Sequence, residues 1–260
     1  MTPEGREDAL DTSREGLHHV GNSTHWIVLE GVAILTDPWL SEPADGVLAH
    51  RYPPRPLPTR PDVVLISHEH GDHYDATALD RLDRGADVVV PEGEMAEGAR
   101  ALGFGRVHGV RAGDVLPDVR GLAIEVVRGR HSVPEVCFRV ERRGRAFFFG
   151  GDTMVTAEIE ELAAARPVPF AILPGERSRL LFRRYVMTPE EAVGLARRLG
   201  ARRAVLTHHE QVVARRWPFG WMVHIPPVGQ NDFPDWFVVP RPGDYVAFPW
   251  ADDASKEARP

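Results

Sequence analysis

The chain has a single cysteine, Cys137, and no apolar run near the roughly 20 residues that a bilayer span needs. One cysteine excludes an internal disulfide, and it predicts a reducing, cytoplasmic compartment. The start, MTPEGREDALDTSREG, is polar and acidic and lacks the basic start and apolar stretch of a secretory signal. An excess of positive charge is also missing. A formal net charge of −7 argues against general nucleic-acid binding. No repeat, low-complexity block or linker-like segment divides the 260 residues. The expected organisation is one domain over 15–250, with flexible tails at 1–14 and 251–260.

Short apolar segments alternate with helix-like ones from about residue 60 onward. His19 to Glu30 and Val32 to Thr36 read as two strands around Gly31, and the proline-rich 41–61 reads as an irregular loop. DVVLIS and DVVVPEG are apolar throughout, as expected for strands covered on both faces. ATALDRLDRG fits a short helix with Asp75 as N-cap and Gly85 as its stop, and MAEGARALGFG a second helix closed by Gly103. VCFRV and AFFFGGDT flank ERRGR as a hairpin. Thr188, Pro189 and Glu191 make a capping box for a helix that ends at Gly200. Hairpins together with crossovers predict a mixed sheet covered by helices.

The chemistry concentrates in SHEHGDHYD, residues 67–75, where His68, His70, Asp72 and His73 follow the strand DVVLIS. Imidazoles and carboxylates suit zinc and other first-row metals. A buried strand fixes the first ligand, and Gly71 lets the loop turn tightly so that the others converge. Four candidate ligands in six positions exceed the needs of one simple site, so some point to a second centre. Further along, His131 follows AIEVVRGR, Asp152 follows AFFFGG, and His208 and His209 follow RRAVLT. Each is the first strongly ligating residue past an apolar strand, where sites usually form in such folds.

SHEHGDHYD, the later HS, FFGGDT and LTHH together resemble the metallo-β-lactamase superfamily. GNSTHWIVLEGVAILTDPWL and MTPEEAVGLARRLGA resemble its branch of ascorbate-phosphate lactonases and N-acyl-phosphatidylethanolamine phospholipase D-like hydrolases. The resemblance covers about residues 17–210. It implies an α/β (α+β) fold, a four-layer αββα sandwich, with two divalent metal ions at one edge. Zinc is the expected metal, with manganese or iron as alternatives. By matching position, His68, His70 and His131 would hold one ion, and Asp72, His73 and His208 the other, with Asp152 bridging. Asp72 would also orient the nucleophile and shuttle its proton. Asp37, in TDP, would support the ligands, and His209 would be a supporting or substrate contact.

Two metals about 3.5–4 Å apart share a water and lower its pKa towards neutrality. The expected activity is hydrolysis of an ester, lactone, amide or phosphodiester of a small molecule by a bridging hydroxide. A di-iron, oxygen-activating redox protein on the same fold is the alternative. Arg177, Arg179, Arg183 and Arg184 read either as a solvated loop or as an anion clamp, which leaves an anionic substrate open. Tyr74, Trp26 and Trp221 read as core or as pocket lining. His18, His19, His25, His50, His108 and His224 are expected not to ligate, and the aromatic C-terminal segment reads as a lid or a dimer surface.

Overall fold

The computed structural model describes residues 13–41, 48–57, 60–177, 184–213 and 228–251. Arg179, Arg183, Trp221, His224 and most of both expected tails lie outside these. Arg14, assigned to a tail, instead stacks 3.5 Å from the centre of the Tyr245 ring.

The first described strands are antiparallel: β1 (Gly16–Gly21), β2 (Thr24–Leu29) and β3 (Val32–Thr36). The single strand expected over His19–Glu30 is broken at Asn22, whose φ of 50° starts a turn. A three-residue β4 (Leu48–His50) interrupts the loop expected over 41–61 and pairs with β14 (Gln211–Val213). β5 (Val63–Leu65) lies parallel to β3. Helix α1 (Ala76–Asp80) is N-capped by Asp75 as expected. It stops well before Gly85, because the Arg84 guanidinium bonds the carbonyls of Leu79, Asp80 and Leu82. Next come β6 (Asp87–Pro91), α2 (Glu94–Ala101), β7 (Arg106–Val110), β8 (Val115–Val119) and β9 (Leu122–Arg128). They are followed by β10 (Val136–Arg142), β11 (Arg145–Phe149), α3 (Ala157–Ala165) and β12 (Phe170–Pro174). The capping box forms as predicted at the start of α4 (Pro189–Arg198), and β13 (Arg203–Thr207), β15 (Phe237–Val238) and β16 (Tyr245–Val246) complete the set.

Strand order gives two seven-stranded sheets, β16-β1-β2-β3-β5-β6-β7 and β15-β13-β12-β11-β10-β9-β8. Period-two alternation places three apolar clusters. Ile34, Val63, Leu65 and Val89 from one sheet meet Val126, Phe138, Phe147, Phe149 and Ile172 from the other between the sheets. The opposite faces pack outward. Val64, Val88 and Val90 meet Leu79, Met95 and Ala99 near α1 and α2, while Phe148, Ala171 and Leu206 meet Ile159, Leu195 and Ala196 of α3 and α4. The layers are therefore αββα.

Polarity matters most for function. β3, β5, β6 and β7 are mutually parallel, as are β11, β12, β13 and β15. β9 is antiparallel to β10, and β10 to β11, so β9 also runs with β11. All these strands except β10 end at one edge. The opposite edge is closed by two-residue turns at Glu30–Gly31, Arg120–Gly121 and Arg143–Gly144, each with both φ values positive.

Candidate metal centre

The loops that leave this edge bring all seven sequence-predicted residues together. His68, His70 and His131 form one group, and Asp72, His73, Asp152 and His208 a second, with possible ligand atoms in each group within 4.8 Å of one another. Asp152 lies between them. Its Oδ2 is 2.7 Å from His208 Nε2 and 3.2 Å from His73 Nε2, and 3.9 Å from both His68 Nε2 and His131 Nε2.

The far side of each ring settles which nitrogen faces inward. His131 Nδ1 donates to the Tyr185 carbonyl at 2.9 Å. His73 Nδ1 donates to Asp37 Oδ2 at 2.7 Å. The Ser67 hydroxyl donates to Asp37 Oδ2 at 2.6 Å, so at 2.9 Å it accepts from His68 Nδ1. Neutral rings held this way turn bare Nε2 lone pairs inward. His70 Nδ1 sits 3.1 Å from both His68 Nε2 and His131 Nε2, and a single proton satisfies only one of those contacts. His73 Nε2 faces the carboxylates of Asp152 and Asp72, at 3.2 and 3.5 Å. Asp152 Oδ1 is buried with no hydrogen-bond partner among the described residues. Acceptors aimed at acceptors in a buried site fit cations between them.

The electrostatics agree. Burial, then the neighbouring His73, holds His68 well below the ordinary imidazole range, and burial likewise lowers His131, so both stay neutral as ligands must. Burial alone would lower His73 too, but Asp152, Asp72 and Asp37 hold it well above its usual value. Burial would raise Asp72 and Asp152, yet their histidine neighbours keep both well below the usual carboxylate range. A field that favours a proton on His73 favours a divalent cation for the same reason.

Other expectations also find their places. His209 stands outside both ligand groups. Its ring stacks 6.4 Å from that of His19, and burial first, with nearby imidazoles and Arg51, pushes it down to about 4. His18, His19, His25, His50 and His108 stand outside both ligand groups. Trp26 is core, and half-buried Tyr74 packs on the same cluster while donating to the Met95 carbonyl. Cys137 is fully buried, with burial raising its thiol well above the usual range. Arg177 and Arg184 pair with Glu190 and Glu191, at 2.8 and 2.7 Å.

A family profile described as a beta-lactamase superfamily domain matches residues 33–209. The chain belongs to the metallo-β-lactamase superfamily. Its His/Asp cluster is the candidate metal site. An uncharacterised protein from Mycobacterium tuberculosis is 32% identical over 205 residues, which cover 70% of this chain and 54% of that protein. The chain thus spans about half the length of the curated relatives it matches first. A UPF0173 metal-dependent hydrolase of Methanopyrus kandleri is 25% identical over 66% of this chain and 74% of its own. The solved structure of a metallo hydrolase from Ignicoccus hospitalis superposes with a TM-score of 0.65 at 24% identity, over 88% of this chain and 96% of that one.

Several supporting residues carried no sequence signal. Ser67 relays Asp37 to His68. Glu176 Oε2 lies 3.3 Å from His208 Nδ1. Glu135, with a fully buried side chain, accepts from the Asp152 amide at 2.5 Å and approaches His68 Nδ1 at 3.5 Å. Behind the ligands, Glu210 Oε2 takes His19 Nε2 at 2.8 Å and the Asn22 amide at 3.1 Å, which ties the β1–β2 turn to the segment after β13.

Proposed function

We propose that the chain binds two divalent cations, zinc in the first instance, and hydrolyses an ester, lactone, amide or phosphodiester bond of a small molecule. His68, His70 and His131 would hold one ion, and Asp72, His73 and His208 the other, with Asp152 shared. The observation that carries this reading is Asp152 Oδ2, within 3.9 Å of inward nitrogens from both groups. A bound metal pair supplies an activated water at neutral pH and polarises the group under attack. The protein's own part is orientation. Asp37 and Ser67 fix His73 and His68, the Tyr185 carbonyl fixes His131, and Glu176 sits behind His208. Asp72 Oδ2 lies 3.5 Å from both His73 Nε2 and His208 Nε2, which supports a role as ligand and as acceptor of the proton that an attacking water would lose.

Metal analysis of protein purified without added metal tests the cofactor. Two equivalents per chain support the reading, and fewer than one refutes it. Iron accompanied by oxygen consumption would replace the hydrolase with a redox protein. A screen over lactones, phosphodiesters, thioesters and amides identifies the bond. On the substrate found, His68→Ala and Asp72→Ala lose turnover while retaining the fold by circular dichroism. Wild-type turnover in either variant would defeat the assignment.

A further inference from the structure

A cleft of about 530 Å³ opens beside the first ligand group. Its walls come from the ends of β6 and β7 in one sheet and the β9–β10 connection in the other, and they include His131. The volume falls within the usual range for small-ligand pockets, about 300–1,000 Å³. In a chain of net charge −7, this cleft is lined by Arg111, Arg128 and Arg130. Two acidic residues share the wall. Glu92 is engaged by Arg111, and Glu135 has a fully buried side chain turned to the Asp152 amide. The lining charge that faces solvent is therefore cationic.

The three arginines differ in what they already hold. Arg128 pairs with Glu158 at 3.0 Å, both side chains being largely exposed, so the pair holds weakly. Arg130 has no carboxylate partner among the described residues, and its guanidinium rests 3.8 Å from the Met154 sulfur. Its backbone, in contrast, is fixed. The Arg130 amide donates to Thr153 Oγ1 and its carbonyl accepts from the Met154 amide, both at 2.9 Å. Those contacts clamp Arg130 to the loop that carries Asp152, and the next residue is His131. A planar, permanently charged fork is thus held one residue from a ligand position, in the wall of a ligand-sized cleft.

We infer that Arg130 is a specificity-determining residue that binds an oxyanion, a carboxylate or phosphate, carried by the substrate a short distance from the bond that is cut. Arg128 is the second contact, released from its exposed pair as the anion arrives. This rests on the proposed hydrolase reading of the same edge. It also moves the anion clamp away from Arg177 and Arg184, which α4 already neutralises.

The test is calorimetric binding to the full, metal-loaded chain. The probes are glutarate and phenylphosphonate as non-hydrolysed dianions, with acetohydroxamate as a neutral, metal-directed control. Wild type is expected to bind at least one dianion, and the preferred one distinguishes carboxylate from phosphate. Arg130→Met should weaken that binding about ten- to a hundredfold, the usual loss of a charge-assisted pair, and Arg130→Lys less. Acetohydroxamate affinity should stay the same in all three proteins. Equal dianion binding by wild type and Arg130→Met, or none by wild type, overturns the inference. Failure of acetohydroxamate to bind any of the proteins would instead count against the metal centre, while the dianion comparison still judges Arg130.

Discussion

Asp37→Asn is the most discriminating perturbation, because the two side chains share a shape and differ in one acceptor. Asp37 Oδ1 accepts from the Ser67 amide at 2.7 Å, while Oδ2 accepts from the Ser67 hydroxyl and from His73 Nδ1. A backbone N–H cannot reverse, so the asparagine oxygen takes the Oδ1 place. The opposite flip would set two N–H groups face to face, at about 1–3 kcal/mol. The amide NH2 then meets His73 Nδ1 and forces the proton onto Nε2, the nitrogen that points at Asp152. Ser67 must turn its hydroxyl as well, which disturbs His68. Loss of such orienting contacts typically costs about 10–100-fold in metal affinity, or about 1.4–2.7 kcal/mol. For a chain of this size, that removes about 3–10 °C of metal-dependent stabilisation. Chelator-competition titrations give the affinity, nitrogen NMR of His73 gives the tautomer, and melting with and without metal gives the stability. If the Asp37→Asn variant bound metal with wild-type affinity and kept His73 Nδ1 protonated, the orientation argument would be wrong.

Three further expectations concern other contacts. Glu135→Gln keeps an acceptor for the Asp152 amide and should retain metal, whereas Glu135→Ala orphans that amide and should cost about 1–3 kcal/mol in urea unfolding; equal midpoints would contradict this. Gly151 has φ of 59°, and a Cβ there would lie 2.6 Å from Glu135 Oε1, whereas Gly144 has φ of 76° and open space. Gly151→Ala should therefore be more destabilising than Gly144→Ala, where only the left-handed backbone cost of about 1–2 kcal/mol applies; similar midpoints would show that the Glu135 cradle adds nothing. Burial alone would raise Asp87, but hydrogen bonds from His108, Arg106 and Arg120 hold it below the usual carboxylate value. A depressed carboxylate stabilises the fold above its unfolded pKa and loses that contribution as pH falls through the folded one. The stability gap between wild type and Asp87→Asn should thus be present at pH 6 and vanish in the acid limb, below about pH 4. A gap independent of pH would refute the linkage.

The cluster of candidate ligands was legible because its signal is local: an apolar strand, then an imidazole or carboxylate that no core would choose. The supporting network was not. Glu210 reaches His19 across 191 positions, and Ser67 matters only because the β3 end carries Asp37 beside it. Neither pairing leaves a trace in spacing. Among the strands, β7 and β8 escaped notice because RVHGV and VLPDV each bury only one residue and contain glycine or proline. The break between β1 and β2 was hidden because Asn22 takes the left-handed conformation that Gly31 advertises nine positions later.

The two-residue turns at Glu30–Gly31, Arg120–Gly121 and Arg143–Gly144 give the molecule a silent rim opposite a talkative one. Lengthening or recolouring the loops beyond the strand ends leaves those turns, and the register they enforce, untouched. A lineage built on this frame can try new substrates on one side while the other keeps the architecture shut.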